Sequence, residues 1–430
     1  MTLITSVSTH DLRAPTSRTL AGSDAVHHDP DYSAAYVVLH TDGAHEGQGM
    51  TFTIGQGNDL CCAAIDALSS AVRGRRLSDI VDNMGDFWRT LTNHSQLRWL
   101  GPEKGVIHLA TAALVNAVWD LWAKERGVPV WQLVAELEPQ QFVDCIDFRY
   151  LRDEMAEERA LDLLRAQAPT KQARIAELRR DGYPAYITSA GWLGYPEAKV
   201  RELCRASIAD GWTSFKTKVG IDVASDVRRC EVMREEIGDT FSLMADANQV
   251  WEVPEAIEWM EHLRPFNLRW IEEPTSPDDI LGHAKIRRGV APIGVATGEH
   301  AANRVVFKQL LQADAIDYCQ VDACRLGGLN EVLSVLLLAA ARDVPVCPHA
   351  GGLGLCEYVQ HISMIDYICV SGSLADRTTE FAGHLHEHFV NPVVMRGGRY
   401  VVPEAPGYSI EMHSNSIDAL TFPGGREWRT

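Results

Sequence analysis

The order of apolar and polar positions in the first third of the chain predicts strands followed by helices. The run SAAYVVLHT at residues 33–41 is typical of a strand, and a glycine-rich turn leads from it into a second strand. Apolar residues then recur at helical spacing in 63–77 and 80–91, and a longer helix is predicted over 103–127. The pattern therefore predicts an α+β module over residues 1–138.

From residue 139 onward, short apolar runs alternate with amphipathic helices. The runs that predict strands are 185–190, 214–220, 241–248, 268–274, 292–299, 316–323 and 344–350. The predicted helices between them include 223–237, 254–263, 303–313 and 329–342. Such alternation indicates parallel βαβ units, and seven or eight of them in about 240 residues favour a closed barrel over the rival doubly wound sheet. We therefore expect a barrel over 139–390, with residues 391–430 packing back on the first module.

The composition narrows the class of protein. Lys and Arg number 40 against 58 Asp and Glu, a net charge of −18, which argues against nucleic acid or an anionic membrane as partner. The ten cysteines form no CxxC pair, the N-terminus lacks a secretory signal, and no uninterrupted apolar stretch is as long as a membrane span. We therefore expect a cytoplasmic protein with reduced thiols. A mitochondrial presequence stays an open alternative, because Ser and Thr are frequent at the N-terminus and acids are few.

Ionisable residues stand at the carboxyl ends of successive predicted strands. They are Lys216, Lys218, Asp246, Glu272, Glu299, Asp322 and His349. From Lys218 to His349 they follow one another at steps of 28, 26, 27, 23 and 27 residues, which is one βα unit each. A single acid at such a position is usually a helix cap, but the series predicts an active site, since these strand ends ring one mouth of a barrel.

Asp246, Glu272 and Glu299 come from three neighbouring strands and would repel one another unless a cation lies between them. All-oxygen ligation is typical of Mg²⁺, with Mn²⁺ second, and zinc is disfavoured because none of the three is His or Cys. Glu273 should point to the other side of its strand and be structural. The sequence thus predicts one hard divalent cation at the mouth.

Lys216 and Lys218 are two positions apart on one strand and therefore point to the same side. Two close, partly desolvated ammonium groups disfavour protonation, so we expect the Lys218 pKa to be lowered and its amine to act as a general base. Asp322 and His349 follow on the next two strands, where the carboxylate can hydrogen-bond one imidazole nitrogen. His349 is the predicted general acid.

Two further patterns have structural interpretations. His384, His386 and His388 alternate as metal-binding pairs do, but they lie beyond the last predicted strand, and we expect no metal there. Four tryptophans on or beside helical stretches are expected in the core, namely Trp99, Trp119, Trp122 and Trp131.

The motifs around these residues are similar to those of the mandelate racemase-like group of the enolase superfamily. They are KTK (216–218), MADAN (244–248), WIEEPTSPDD (270–279), TGE (297–299), Asp322 and PHAGGLG (348–354). Longer segments, among them DPDYSAAYVV, CIDFRY and HLHEHF, closely resemble the L-fuconate dehydratases. The resemblance covers essentially the whole chain. It implies a (β/α)7β barrel (TIM-barrel-like) beneath an α+β capping domain, and a homo-oligomer.

The resemblance also implies roles for individual residues. It makes Asp246, Glu272 and Glu299 the ligands of one Mg²⁺ per subunit, Lys218 the base with Lys216 beside it, and the His349–Asp322 pair the acid. It places Glu380 on the eighth strand, hydrogen-bonded to the substrate carboxylate. Further substrate contacts are expected from Asn248 and, in the capping-domain loops 28–32 and 47–57, from Asp31 and Tyr32. His300 follows Glu299 where related sequences often carry Gln, which bears on substrate preference.

The activity that the resemblance implies is dehydration of an acid sugar, L-fuconate to 2-keto-3-deoxy-L-fuconate, a step of fucose catabolism. A base removes the C2 proton, Mg²⁺ stabilises the enediolate, and the 3-hydroxyl leaves with a proton from an acid. Three alternatives stay open: another acid sugar such as galactonate or altronate, racemisation of a 2-hydroxy acid, and non-catalytic binding of a sugar acid. The residues also leave open whether His349 protonates the leaving hydroxyl or C3.

Overall fold

The computed structural model describes residues 2–429 and opens with a three-stranded antiparallel sheet in the order β1-β2-β3. Its strands are Ile4–Arg13 (β1), Ser33–Thr41 (β2) and Gly47–Thr53 (β3), so the strand predicted at 33–41 is confirmed. Helices follow the sheet in the order Asn58–Leu68 (α1), Leu77–Val81 (α2), Met84–Thr92 (α3), Leu97–Leu100 (α4), Gly105–Arg126 (α5), Val130–Glu136 (α6) and Pro139–Asp144 (α7). These strands and helices form the capping module.

The longest helix, α5, is the centre of the capping module. It packs against β3, where Gly47 and Gly49 allow a close approach of the two backbones. A Cβ atom at Gly49 would lie 2.2 Å from the Ala113 carbonyl oxygen, and one at Gly47 would lie 2.5 Å from that of Ala117. By length and composition α5 could cross a membrane, but 78% of its most apolar window is buried inside the protein. Its apolar character is therefore that of a core helix.

The second part of the chain builds a parallel sheet in the order β10-β4-β5-β6-β7-β8-β9. Its strands are Tyr183–Ile187 (β4), Ser214–Lys218 (β5), Ser242–Asp246 (β6), Trp270–Glu272 (β7), Gly294–Thr297 (β8), Tyr318–Cys319 (β9) and Thr379–Phe381 (β10). The helices that precede, separate and follow these strands are Glu157–Gln167 (α8), Lys171–Asp181 (α9), Glu197–Ala209 (α10), Val223–Ile237 (α11), Val253–Leu263 (α12), Ile280–Val290 (α13), Arg304–Gln312 (α14), Leu329–Ala340 (α15) and Leu355–Ile365 (α16). Each run predicted as a strand between 185 and 323 overlaps one of these strands.

The ring closes through a segment that lacks regular strand structure. The strand predicted at 344–350 forms only one isolated bridge, so that prediction is wrong in detail. The segment still joins its neighbours, because His349 N–H donates to Val321 O at 3.0 Å and Glu380 N–H donates to Pro348 O at 3.2 Å. Two prolines within it cannot donate to a ladder, which explains the irregularity. The architecture is a (β/α) barrel with an N-terminal cap, as expected.

The chain beyond residue 390 contacts both parts of the molecule. A short strand, Arg399–Tyr400 (β11), pairs antiparallel with β4 of the barrel. The helix Ser414–Leu420 (α17) then lies against β1, and Trp428 Nε1–H donates to Arg13 O at 2.8 Å. This segment packs back on the capping module and also extends the barrel sheet. The domain boundaries at 138 and 390 stay predictions.

The tryptophans do not share one environment. Trp119 and Trp131 are buried, and Trp122 is partly buried against the core. Trp99 is 91% exposed on α4, so its predicted place in the core is wrong. Helical spacing could not decide this case, because a helix of one turn has no repeating apolar face.

Candidate active site

The parallel register of the barrel brings the predicted site residues to one mouth. Lys218 is paired with Asp246, and Asp246 with Glu272, across β5, β6 and β7. Glu299 lies two residues beyond β8 and follows Gly298, whose φ is 151°. A Cβ atom at Gly298 would lie 2.3 Å from a carbonyl oxygen of the next strand region, so this turn requires glycine. The three carboxylates therefore converge on one point.

Asp246, Glu272 and Glu299 form a buried carboxylate cluster. One oxygen from each residue lies within 4.8 Å of those of the other two. Glu299 Oε2 is buried and accepts no hydrogen bond from the residues that the structure describes, although His349 Nε2 lies 3.4 Å away. Buried polar atoms normally have a partner, so this unpartnered oxygen fits a metal ligand. The all-oxygen donor set suits a hard divalent cation such as Mg²⁺.

The two strand lysines enter this cluster from β5. Lys216 Nζ donates to Glu272 Oε1 at 2.7 Å and lies 2.8 Å from Glu380 Oε1. Lys218 Nζ donates to Asp246 Oδ2 at 2.5 Å and to Asn248 Oδ1 at 3.0 Å. Each ammonium group therefore lies within hydrogen-bonding distance of a carboxylate, which the sequence alone could not indicate.

The predicted lowering of the Lys218 pKa is wrong for this arrangement. Burial would lower the pKa of Lys218, but carboxylates, Asp246 foremost, outweigh burial and raise it above its usual value. The same balance, with Glu272 as the main opposing charge, raises the pKa of Lys216. Lys216 does act on the Lys218 pKa in the predicted direction, but its effect is smaller than that of Asp246.

The pKa values of the carboxylates are shifted in opposite directions. Burial, and then the neighbouring Asp246, raise the pKa of Glu272 well above its usual value, and burial also raises the pKa of Glu299. Burial would also raise the pKa of Asp246 and Glu380, but nearby cations outweigh it. Lys218 and Lys216 lower the pKa of Asp246, and Lys216, followed by His349, lowers that of Glu380 to about 2. Crowded acids that favour protonation are stabilised in their charged form by an added cation, which is the condition of a metal site.

An imidazole–carboxylate pair occupies the next two strand positions. His349 donates from Nδ1 to Asp322 Oδ2 at 2.8 Å. Asp322 Oδ1 accepts the N–H groups of Cys324 and Arg325, each at 2.7 Å, which fixes the carboxylate. Burial would lower the pKa of His349, but nearby carboxylates, Glu299 first, raise it to about 10. This direction favours the protonated imidazole, which is the form that a general acid requires.

The mouth opens into a cavity of about 240 Å³ between the barrel and the capping module. Predicted site residues that line it are Tyr32, Lys218, Asn248, Glu299, Asp322, His349 and Glu380. Asp31 is not among the lining residues. Its Oδ1 accepts hydrogen bonds from Ser17 N–H at 3.2 Å and Ser17 Oγ at 2.7 Å, which holds the loop in place. The structure therefore does not bring Asp31 to the substrate cavity, in contrast to the expectation.

Several cavity residues were not predicted, namely Asp24, His27, Thr188, Trp192 and Arg325. Asp24 and His27 lie in the irregular segment between β1 and β2, where no periodicity marks burial. Phe52 also lines the cavity and lies within the segment 47–57 that we expected to be a substrate-selecting loop, but residues 47–53 of that segment form β3. Arg325 is three residues beyond Asp322, so the strand-end position that identified Asp322 could also have identified this residue.

His300 and Glu273 lie beside the carboxylate cluster. His300 Nδ1 is 2.9 Å from Glu273 Oε1, and Gln249 Nε2 donates to the same carboxylate at 3.1 Å. His300 also lines the cavity, where its ring is parallel to that of His27 at 6.5 Å between centroids. Glu273 is fully buried and occupied by these partners, in agreement with a structural role.

The three histidines of the HLHEHF segment have separate partners. His386 Nδ1 lies 2.8 Å from Glu357 Oε1, and His388 Nδ1 lies 3.1 Å from Ser416 Oγ. The ring of His384 packs against Trp192, with 5.0 Å between centroids. Each ring therefore serves a local packing or hydrogen-bonding contact.

Known proteins resemble this chain over nearly its whole length. Residues 199–416 match the family described as Enolase C-terminal domain-like. The chain is 54% identical over 430 residues to mitochondrial enolase superfamily member 1 of Bos taurus, covering 99% of this chain and 97% of that protein. It is 54% identical over 434 residues to L-galactonate dehydratase of Hypocrea jecorina, covering 99% and 96%.

Solved structures share the fold, and more than one of them holds magnesium. The crystal structure of human mitochondrial enolase superfamily member 1 has a TM-score of 0.98 and 52% identity, covering 99% of this chain and 98% of that chain. The structure of L-talarate dehydratase from Polaromonas sp. JS666, complexed with Mg and L-glucarate, has a TM-score of 0.73 and 25% identity, with 98% of each chain covered. Magnesium in that relative agrees with the oxygen donors of the carboxylate cluster.

Proposed function

The chain belongs to the enolase superfamily, and from this premise we propose that it is an Mg²⁺-dependent acid-sugar dehydratase whose substrate is L-fuconate. The observation that carries the proposal is a single cavity lined by Lys218, His349, Asp322 and the cluster ligand Glu299. A relative named for L-galactonate dehydration, which matches the chain nearly from end to end, supports an acid sugar as substrate. The proposed product is 2-keto-3-deoxy-L-fuconate.

The carboxylate end of the substrate is proposed to bind at the cluster. Asp246, Glu272 and Glu299 would hold Mg²⁺, which supplies Lewis-acid stabilisation of the negative charge that develops on the substrate carboxylate. The ammonium group of Lys216 adds a fixed positive charge on the same side. Glu380 is held in place by Ala350 N–H, which donates to its Oε2 at 2.9 Å, and it would hydrogen-bond a substrate carboxylate oxygen.

Lys218 is the proposed base that removes the C2 proton. In the described arrangement Asp246 favours its ammonium form, but a carboxylate engaged with a cation favours that form less. Burial of the amine then favours the neutral base. Asn248 Oδ1, at 3.0 Å from Lys218 Nζ, orients the nitrogen toward the cavity that both residues line.

His349 is the proposed acid for the second half of the reaction. Its Nδ1 is held by Asp322, and Nε2, which lies 3.2 Å from Gly351 N, is the nitrogen on the cavity side. As the C3–O bond breaks, Nε2 gives its proton to the departing hydroxyl, which leaves as water. The enol that results gains a proton at C3 and loses the proton of its C2 hydroxyl, which yields the 2-keto-3-deoxy acid.

The test is keto-acid release from a panel of acid sugars. Purified protein with Mg²⁺ should release a semicarbazide-reactive product from L-fuconate, and chelation of the ion should stop it. We expect kcat/KM for L-fuconate to exceed that for its C4 epimer by about tenfold or more, because a polar group left unpaired costs about 1–3 kcal/mol. A tenfold preference for another acid sugar would contradict the substrate but not dehydration. No keto acid from any member of the panel would contradict both.

L-galactonate is the second candidate substrate, and the 54% identity to a protein named L-galactonate dehydratase is the observation that favours it. L-fuconate is 6-deoxy-L-galactonate, so the two acids differ only at C6. The ratio of their kcat/KM values therefore shows whether the enzyme prefers a methyl or a hydroxymethyl group at C6, at the end of the cavity away from the carboxylate cluster. Racemisation would instead yield a C2 epimer without keto acid, which the same reaction mixtures reveal by proton NMR.

We also propose a cytoplasmic homo-oligomer. The mitochondrion is the alternative compartment, since relatives at 54% identity carry "mitochondrial" in their names. Cell fractionation separates the two locations. Size-exclusion chromatography with light scattering tests the assembly, and a single 47.6 kDa species would contradict the oligomer.

A further inference from the structure

Arg325 is a cavity cation for which the proposed reaction has no role. Its main-chain N–H donates to Asp322 Oδ1 at 2.7 Å, and its Nε donates to Glu299 O at 3.1 Å. The main-chain end of Arg325 therefore lies beside the imidazole–carboxylate pair, and its Nε lies beside Glu299 of the carboxylate cluster. These contacts hold the plane of the guanidinium at the wall of the cavity that it lines.

The two Nη groups of Arg325 have no hydrogen-bond or ion-pair partner within residues 2–429. The buried Arg304, in contrast, has acceptors for both of its Nη groups, and its Nη2 donates to Arg149 O at 3.2 Å. Arg304 Nη1 lies 2.8 Å from Glu103 Oε2 and 3.1 Å from Glu331 Oε1. A guanidinium that is partly withdrawn from solvent usually donates from its fork to oxygen acceptors, so the free fork of Arg325 is suited to a ligand.

The segment that carries Arg325 contacts the capping module. Thr51 Oγ1 of β3 donates to Cys324 O at 3.4 Å, and Cys324 Sγ lies 3.5 Å from Met50 O of the same strand. The carboxylate cluster lies at the strand ends of the barrel. An acid sugar whose carboxylate binds at the cluster would extend its remaining carbons toward the capping side.

Resting on the proposed function, we propose that Arg325 is a specificity-determining residue whose Nη1 and Nη2 donate hydrogen bonds to the C4 and C5 hydroxyls of a six-carbon acid sugar. Two neighbouring hydroxyl oxygens match the parallel donors of a guanidinium fork. Lys cannot reproduce this geometry, because its ammonium group is a point charge on a flexible stem. Arg325 would thus select long polyhydroxylated acids over short acids that carry only C2 and C3 hydroxyls.

The test compares the affinity of two ligands by calorimetry in the presence of Mg²⁺. L-fuconate carries the C4 and C5 hydroxyls, and glycerate ends at C3. All proteins also carry Lys218→Ala, so that no substrate is consumed. Arg325→Gln should weaken L-fuconate binding about 10- to 100-fold, the effect of losing hydrogen bonds from a charged donor, and should leave glycerate affinity unchanged. Arg325→Lys, which keeps the charge, should also weaken L-fuconate binding.

Arg288→Gln is the matched control. Arg288 is exposed near the end of α13 and lines a separate cleft with Pro292, so its loss should change neither affinity. Unchanged L-fuconate binding in Arg325→Gln, or equal weakening of both ligands, would overturn the proposal. Should Arg325→Gln fail to fold by circular dichroism, Arg325→Lys decides by the same criterion. If L-fuconate binds through Arg325 but the wild-type protein, with Lys218 intact, releases no keto acid, the proposed function alone is contradicted, and a protein that binds no sugar acid would overturn both.

Discussion

Replacement of Asp322 by Asn tests whether the imidazole–carboxylate pair acts only in the second half of the proposed reaction. The substitution keeps the volume and the Oδ1 atom that accepts the N–H groups of Cys324 and Arg325. It removes the negative charge that His349 Nδ1 faces at 2.8 Å. The local backbone should therefore stay in place while the acid loses its charged partner.

The magnitude follows from the hydrogen bond that changes. A hydrogen bond to a charged group contributes about 1.5–3 kcal/mol, and about 1.4 kcal/mol is a factor of ten in rate, so dehydration should fall about 10- to 150-fold. The pKa of His349 should also fall from about 10, because Asp322 is one of the carboxylates that raise it. Removal of the C2 proton by Lys218 needs no acid, so exchange of the C2 hydrogen should continue.

Two assays separate the half-reactions. Keto-acid release reports dehydration, and proton NMR in D₂O reports C2 exchange. Asp366→Asn is the control for loss of a buried carboxylate, since Asp366 pairs with Arg377 at 2.9 Å and does not line the cavity. That variant should be less stable, yet its ratio of C2 exchange rate to dehydration rate should equal that of the wild-type protein. A parallel loss of exchange and dehydration in Asp322→Asn, or full dehydration activity, would refute the assigned order of events.

Three further predictions concern the base, the metal and the fold. Lys218→Ala should abolish both C2 exchange and keto-acid release, and exchange that persists in NMR would assign the base to another group. Glu272→Gln should weaken Mg²⁺ binding in calorimetry and stop turnover with an unchanged circular dichroism spectrum, whereas wild-type Mg²⁺ affinity would contradict its role as a ligand. His361 is buried with its pKa lowered to about 3, so it stays neutral in the folded protein while the unfolded chain takes up a proton below pH 6.5. The free energy of unfolding should therefore fall by up to about 2 kcal/mol between pH 6.5 and 5, and urea unfolding of His361→Gln should show a smaller fall.

The meeting of the strand-end residues at one mouth could be predicted from the sequence because a barrel repeats. One βα unit separates each strand end from the next, so the steps from Lys218 to His349 identify residues of one mouth without knowledge of any contact. Glu380 had no such signal. Its strand, β10, is three residues long and follows no apolar run, and only the family resemblance indicated it. The apolar run at 344–350, in contrast, predicted a regular strand that does not form, since its prolines prevent a regular ladder.

Properties that depend on distance could not be predicted. The spacing of Lys216 and Lys218 correctly indicates two neighbouring ammonium groups, but the register that places Asp246 at 2.5 Å from Lys218 reverses the direction of the pKa shift. Asp31 is polar and close in sequence to Tyr32, yet a local hydrogen bond to Ser17 occupies it. The cavity residues of the capping loops could not be predicted either. These loops lack periodicity, so no local pattern indicates which of their side chains face the barrel.

The charges of the buried site give an argument for a divalent ion that does not depend on any relative. Apart from the carboxylates Glu273 and Asp24, which face His300 and His27, five buried carboxylates are accompanied by three cationic side chains. The carboxylates are Asp246, Glu272, Glu299, Asp322 and Glu380, and the cationic side chains are Lys216, Lys218 and His349. Fully ionised, this group carries an excess of two negative charges, which a monovalent ion would leave half uncompensated in a medium that strongly penalises charge. The same excess raises the pKa values of both lysines. We therefore expect binding of a divalent ion to favour the neutral amine of Lys218, so that the proposed base would be active in the state that also stabilises the charge it creates on the substrate.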